Sequence, residues 1–350
     1  MTDGVSVVAR NWQRAMARIG FDIVTVAGEG PVDRTVPGLA IGAVDHDPAT
    51  LKDQVIEALK DADLIVVENL LSIPLNLNAS RAVVNAISGR PAVIHHHDPP
   101  WQRDRFAGIT ELPPRDSAWR HVAINHLTVA EMADRGFHAT CIYNGFPIST
   151  GHGDRAGVRS ALGVAPDEVL LAHPVRAIER KNVPAAVKLA EQTGATYWLW
   201  GGAEDGYDTQ LADILARARC RVVTGTPTGR AAKPHQAADP YHAVDLYQAA
   251  DAVIFPSTWE GFGNPPVEAA IHHVAAAVGR YPVAEELLDL GFRWLPTDDP
   301  EPLRQLLAEP DSPETIDMLE HNHAVATKHL SLETMEQAIR SLLNEANWLP

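Results

Sequence analysis

The chain has 350 residues with 29 basic against 45 acidic side chains, a formal charge of −16 with histidine neutral, a balance that excludes nucleic acid and anionic lipid as non-specific partners and makes any phosphate site a local one. Its two cysteines, Cys141 and Cys220, stand far apart without CxxC spacing, which excludes a disulfide framework or zinc ribbon and fits a reducing, cytoplasmic setting. No apolar run reaches the roughly 18 residues of a membrane span, and "MTDGVSVVARNW" lacks the charged start and apolar core of a secretion signal, so a soluble protein is expected.

Val5, Val8, Trp12, Met16 and Ile19 recur at helical spacing directly after "DG" and predict a first helix. A parallel α/β domain ordinarily enters its first helix from a strand. None is written here, so a start upstream of Met1 is expected, with a gapped sheet beside residues 21–27 as its sign. Short apolar runs then alternate with helical-period segments: "FDIVTVAG" (21–28), "DLIVVEN" (63–69), "PAVIHHH" (91–97), "HVAIN" (121–125) and "ATCIYNG" (139–145). The polar stretch "FPISTGHGDRAG" (146–157) reads as a linker, with the boundary near Pro147.

The same rhythm restarts with "EVLLAHPVR" (168–176), "ATYWLWGG" (195–202), "CRVVTG" (220–225), "DAVIFPS" (251–257) and "HHVAAAVG" (272–279). A chain of 350 residues exceeds what one core usually supports. Two α/β domains with parallel sheets follow, at residues 1–147 and 148–330. "TPTGRAAKPHQAADP" (226–240) reads as a surface excursion, and Leu332, Met335, Ile339 and Leu342 predict a closing helix over 331–350.

The stretch "FPSTWEGFGNPPVEAAIHH" carries the strongest chemical pattern. "DAVIFPS" should end at the C-terminal edge of a parallel sheet, where ligands of open α/β sheets collect. Glu260 then lies in the loop above that edge, Gly261 and Gly263 let backbone approach a ligand, and Pro265 and Pro266 suit the first turn of a helix. Glu268 is expected within that first turn. Two carboxylates in one crevice beside a helix N-terminus suit hydroxyl and phosphate recognition together.

That string resembles the nucleotide-sugar motif of retaining GT-B glycosyltransferases of family 4 (glycosyltransferase group 1), in which an E-x7-E pair follows "PS". The resemblance implies that Glu260 contacts donor-sugar hydroxyls and Glu268 holds the ribose, with Gly261, Phe262, Gly263 and Asn264 lying against sugar and diphosphate. "HPVRAIERKN" is similar to the family's R-x4-K phosphate clamp, with Arg176 and Lys181 as its cations; Arg180 is off that spacing and is left out. In "VIHHHDPPW" the alternation of strand side chains keeps His95, His96 and His97 from lining one pocket, so no metal triad is expected. Similarity to the family's strand-end "HD" singles out His97 with Asp98, near donor sugar and acceptor. "DGVSVV" resembles its glycine-rich first loop at Gly4, "WLWGGAEDG" a turn near the nucleotide at Gly201 and Gly202, and "VVTG" a base-bordering segment at Thr224 and Gly225. "IYNG" resembles the motif ending its first domain, with Asn144 and Gly145 structural in role. Relatives usually continue with a small-residue "CGxPVV", where this chain has "HHVAAAVGRYPVAEE".

The resemblance implies two Rossmann-like domains facing across a cleft, the first on the acceptor side. It also implies no required cofactor or metal, and a nucleotide-diphosphate sugar as donor. GDP-mannose and UDP-glucose both fit, and the acidic chain favours a soluble glycan or small-molecule acceptor. A nicotinamide dehydrogenase is disfavoured because no G-x-G-x-x-G follows a strand. An epimerase or hydrolase of the same fold and a non-catalytic sugar-nucleotide binder remain as alternatives.

Overall fold

The computed structural model describes residues 4–43, 47–106, 108–148, 151–227 and 242–350. The chain folds as two units, residues 5–145 with 332–350, and residues 146–331. Most of the 226–240 excursion lies outside the described residues, as do residues 149 and 150 of the linker stretch. No helix among the described residues is long and apolar enough to cross a membrane.

In the N-terminal unit the first helix, Gly4–Ile19, buries Val8, Trp12, Ala15, Met16 and Ile19, the face written by its apolar period. The predicted strand at 21–28 contracts to β1 (Val26–Ala27), which pairs with β2 (Arg34–Thr35) in a two-stranded parallel sheet of its own. Ile23 and Val24 are exposed. β3 (Ile65–Glu68), β4 (Ala92–His96), β5 (Trp119–Ala123) and β6 (Ala139–Cys141) form a separate parallel sheet in that order. The pleat sends Ile65 and Val67 to one face, against Leu51 and Val55 of helix Pro48–Ala58 and Val83 and Ile87 of helix Leu77–Ile87. Val66 and Val93 turn to the other, where the first helix meets Leu332, Met335, Ile339 and Leu342 of the last helix, Leu332–Glu345. The last helix is thereby part of the N-terminal unit's core.

The C-terminal unit is built on β7 (Leu170–His173), β8 (Thr196–Leu199), β9 (Val222–Thr224), β10 (Ala252–Phe255), β11 (Ala275–Val278) and β12 (Leu295–Pro296). The sheet is parallel, in the order β12-β11-β10-β7-β8-β9. β7, β8, β10 and β11 are buried throughout, which accounts for continuous apolar runs rather than alternation. Counted from β9 this is the doubly wound order 3-2-1-4-5-6. Its direction of growth reverses between β7 and β10, and ligands of such sheets bind outside the strand ends at that reversal.

Candidate active site

Two loops meet at the reversal. The loop after β7 is zipped to the turn after β8 by Ala177 N donating to Gly202 O at 2.9 Å and Glu204 N to Ala177 O at 3.1 Å. A Cβ on Gly201 would meet Val175 O at 2.5 Å and Arg176 Cα at 2.9 Å, so the close approach needs glycine there. The chain then makes a single 3-10 turn, Glu179–Lys181, ended by Asn182 in the left-handed region at φ 52°, a conformation Asn tolerates. That turn points Arg180 and Lys181 toward the loop after β10. Thr258 N donates to Arg180 O at 2.9 Å and Arg180 Nη1 to Trp259 O at 2.9 Å, which fixes the two loops in register.

Glu260 is the centre of this junction. Its Oε1 accepts from Lys181 Nζ at 2.5 Å, its Oε2 accepts from Arg180 Nη1, and it is only 6% exposed. Lys181, 8% exposed, also lies over the Phe255 ring at 4.9 Å. Burial pushes the Glu260 carboxyl up, but the two cations and their hydrogen bonds outweigh it and hold it at about 2. Burial also pulls the Lys181 ammonium down to about 8, with Arg180 and Arg176 acting the same way against Glu260. The two groups move for different reasons: Glu260 is held down by its two cations, whereas Lys181 is lowered first by its own burial. Arg176 pairs with Glu204 at 2.7 Å rather than with Glu260. Leaving Arg180 out on spacing grounds is therefore corrected, because a 3-10 turn brings adjacent residues to one carboxylate where the spacing rule admits one.

Gly263 precedes helix Asn264–Ile271 at φ +107°, and a Cβ there would stand 2.3 Å from Tyr281 Oη. Gly263→Ala is expected to cost about 1–3 kcal/mol through backbone strain and this clash, read as a lowered Tm, with unchanged Tm refuting the argument. Pro265 and Pro266 occupy the helix's first turn, but Glu268 lies in the second, a correction that moves it away from the free N–H groups. Its Oε2 accepts from Tyr247 Oη at 2.5 Å. The two glutamates thus have separate partners.

Of the polar atoms buried without a partner among the described residues, His173 Nε2, Trp200 Nε1, Ser257 Oγ and Tyr281 Oη lie along this edge. They stand at or just beyond the C-terminal ends of β7, β8, β10 and β11, four adjacent strands. His173 is also held neutral, its imidazole lowered to about 3 by burial and by Lys181. Buried polar groups are ordinarily satisfied, so unpaired ones on four adjacent strands add to the reasons for taking this edge as the candidate site.

No protein-family model matches the chain. A mannosylglucosylglycerate synthase of Petrotoga mobilis is 21% identical over 361 residues, 83% of this chain and 83% of the relative. One of Thermotoga maritima is 24% identical over 97% of this chain and 96% of the relative. The crystal structure of Anabaena HepE in complex with UDP and glucose matches with a TM-score of 0.63 at 20% identity, over 84% of this chain and 81% of that one. The fold is GT-B. The relatives support a hexosyltransferase.

Within this GT-B chain the other expected residues are distributed as follows. Gly202 carries the carbonyl that binds Ala177, Thr224 ends β9 exposed, and Gly225 accepts from Trp198 Nε1 at 2.7 Å, all at the C-terminal edge of the same sheet. Gly261, Phe262 and Asn264 lie in the segment between Glu260 and Glu268, with Phe262 buried. Gly4 opens the first helix, exposed, with nothing within 4 Å of an added Cβ. Asn11 Nδ2 donates to Gly145 O at 2.7 Å.

In the N-terminal unit the histidines of β4 divide between faces. His96 bridges Ser72 Oγ at 2.6 Å and His121 Nδ1 at 2.9 Å, while His95 and His97 both reach Glu68. Arg103 pairs with Asp98. Sequence reasoning missed Glu68, Tyr247 and His173, since each acquires its partner from a different strand or helix and belongs to no motif.

Proposed function

We propose that the protein is a retaining, metal-independent hexosyltransferase of family 4. It moves a hexose from a nucleotide-diphosphate sugar, of GDP-mannose or UDP-glucose type, to a hydroxyl of a soluble glycan or small molecule in the cytoplasm. The observation that carries this is the buried Lys181–Arg180–Glu260 cluster at the reversal between β7 and β10. It joins an acceptor for sugar hydroxyls to a surplus cation suited to a diphosphate. HepE, crystallised with UDP and glucose, and the two synthases support the donor class.

In this reading Glu260 takes donor-sugar hydroxyls, Glu268 the ribose, and Gly261–Asn264 line the sugar and diphosphate. Gly202, Thr224 and Gly225 border the nucleotide. The N-terminal unit serves the acceptor, with His97 near the reacting sugar and Gly4 by the diphosphate or acceptor. The acceptor oxygen attacks C1 on the face the nucleotide leaves; the C1–O bond breaks with its electron pair passing to the phosphate, which also takes the acceptor's proton. Arg176 and Lys181 oppose the charge that grows there without moving, which is why fixed cations accelerate the step.

Calorimetry against a panel of nucleotide sugars, followed by product analysis with candidate acceptors, tests the reading. One donor should bind and be turned over only with an acceptor, in the presence of a chelator, giving the donor's anomer. Acceptor-independent turnover would favour the epimerase or hydrolase, and binding without product under every acceptor the non-catalytic binder. The lowered Lys181 ammonium adds a pH signature. Above about 8 the ligand-free protein loses that charge, so diphosphate affinity should weaken about tenfold between about pH 7 and about pH 9. Proton uptake on binding at the higher pH is the matching sign, and a flat profile would remove Lys181 from the phosphate.

A further inference from the structure

Glu68 closes β3 directly opposite His95 on β4. Its Oε2 stands 2.8 Å from His95 Nδ1 and 2.8 Å from His97 Nε2. Burial pushes this carboxyl up, but the two histidines outweigh it and hold it at about 2, so the group is an anion with no hydrogen to give. Both ring nitrogens must therefore be donors: Nδ1–H on His95 and Nε2–H on His97. The main chain is fixed as well, because Asn69 Oδ1 accepts from His97 N at 3.1 Å and Asp98 N at 3.2 Å.

Two arrangements fit three such groups. The ligand-type atoms of Glu68, His95 and His97 lie within 4.8 Å of one another, close enough for a metal ion. Metal on His95 Nδ1 would move that ring's hydrogen to Nε2, which is buried without a partner beside the Trp12 ring, centroids 4.3 Å apart. Metal-bound histidines almost always give that second hydrogen to an acceptor, and a buried donor left unpaired is costly. The hydrogen-bonded clamp leaves only a lone pair at Nε2. The clamp is therefore the arrangement the surroundings favour.

We propose that Glu68 is a positioning residue: it fixes His97 as the Nε2–H tautomer, so that Nδ1, which no described residue bonds, accepts a hydrogen bond from a hydroxyl of the sugar or acceptor substrate. The substrate part rests on the role given to His97 above; the tautomer does not. A carboxylate on one ring nitrogen sets the chemistry of the other.

Ring 15N NMR of the histidine-labelled full chain, recorded above about pH 8 where free histidine is neutral, tests the tautomer directly, with His97→Gln assigning the signal. Protonated Nε2 and bare Nδ1 are expected on His97; the opposite tautomer overturns the proposal. Equimolar zinc chloride should leave both rings unshifted, and a joint shift of His95 and His97 would show a metal site instead. In Glu68→Ala neither ring keeps the Oε2 that they share, so mixed His97 tautomers are expected, with kcat falling about a hundredfold and KM for the donor little changed. Unchanged kcat with a disturbed tautomer would remove the substrate role alone. Absence of any transferase activity in the parent would defeat the functional reading while the wild-type spectrum still decides the clamp.

Discussion

Lys181→Ala is expected to lower turnover by about 10² to 10³ with folding preserved, the range that loss of one preorganised charge donor typically costs. Folding should survive because Arg180 still meets Glu260 through Nη1, so the carboxylate is not left alone. The loss should fall on kcat more than on KM, since charge builds on the leaving diphosphate mainly in the transition state. Turnover within twofold of the parent, with an unchanged circular dichroism spectrum, would refute the role. The lost ammonium should also remove the alkaline weakening of donor affinity, which separates its charge from its packing over Phe255.

Glu260→Ala should have the larger effect on stability, about 3–5 kcal/mol, because it strands two cations in a buried site. For a unit of this size that is a drop in Tm of about 10 °C, read by calorimetry, and a change under about 2 °C would show the site opening to water instead. Double substitution of Glu260 and Lys181 by alanine should recover part of the loss, as the coupling in a buried pair requires. The pH dependence has a definite sign. Glu260's folded-state value of about 2 lies below its ordinary 4.5, so its contribution is fully present above about 4.5 and disappears as pH falls toward about 2. Lys181 has the same slope but enters as a cost: its folded value of about 8 lies below 10.5, so its buried charge lowers stability below about 8 and that cost is lifted as pH rises across the interval.

Much of the fold was legible because local patterns specify local elements. The ten apolar runs in the sequence all contain strands, and the helix at Gly4–Ile19 buries Val8, Trp12, Met16 and Ile19 of its apolar period. β2 and β12 were not legible, since Arg34–Thr35 and Leu295–Pro296 are two-residue strands too short for any period. The run at 21–28 shows the opposite failure. Its sequence has the composition of a strand, but strand structure needs a neighbour, and only Val26–Ala27 finds one.

By itself the sequence determined that parallel strands alternate with helices, that Glu260 follows a strand end beside two glycines, and that Lys181 follows another. The tertiary structure decided that those two strands, β7 and β10, are neighbours although β8 and β9 separate them in sequence, and so brought Lys181 to Glu260 across 79 residues. It also recruited Arg180, and it gave Glu268 to Tyr247 and Glu68 to two histidines. The physical reason is that apolar period and turn chemistry act over a few residues, whereas strand order is settled by how whole faces bury against one another. The partners of a buried charge are set only once that order is fixed.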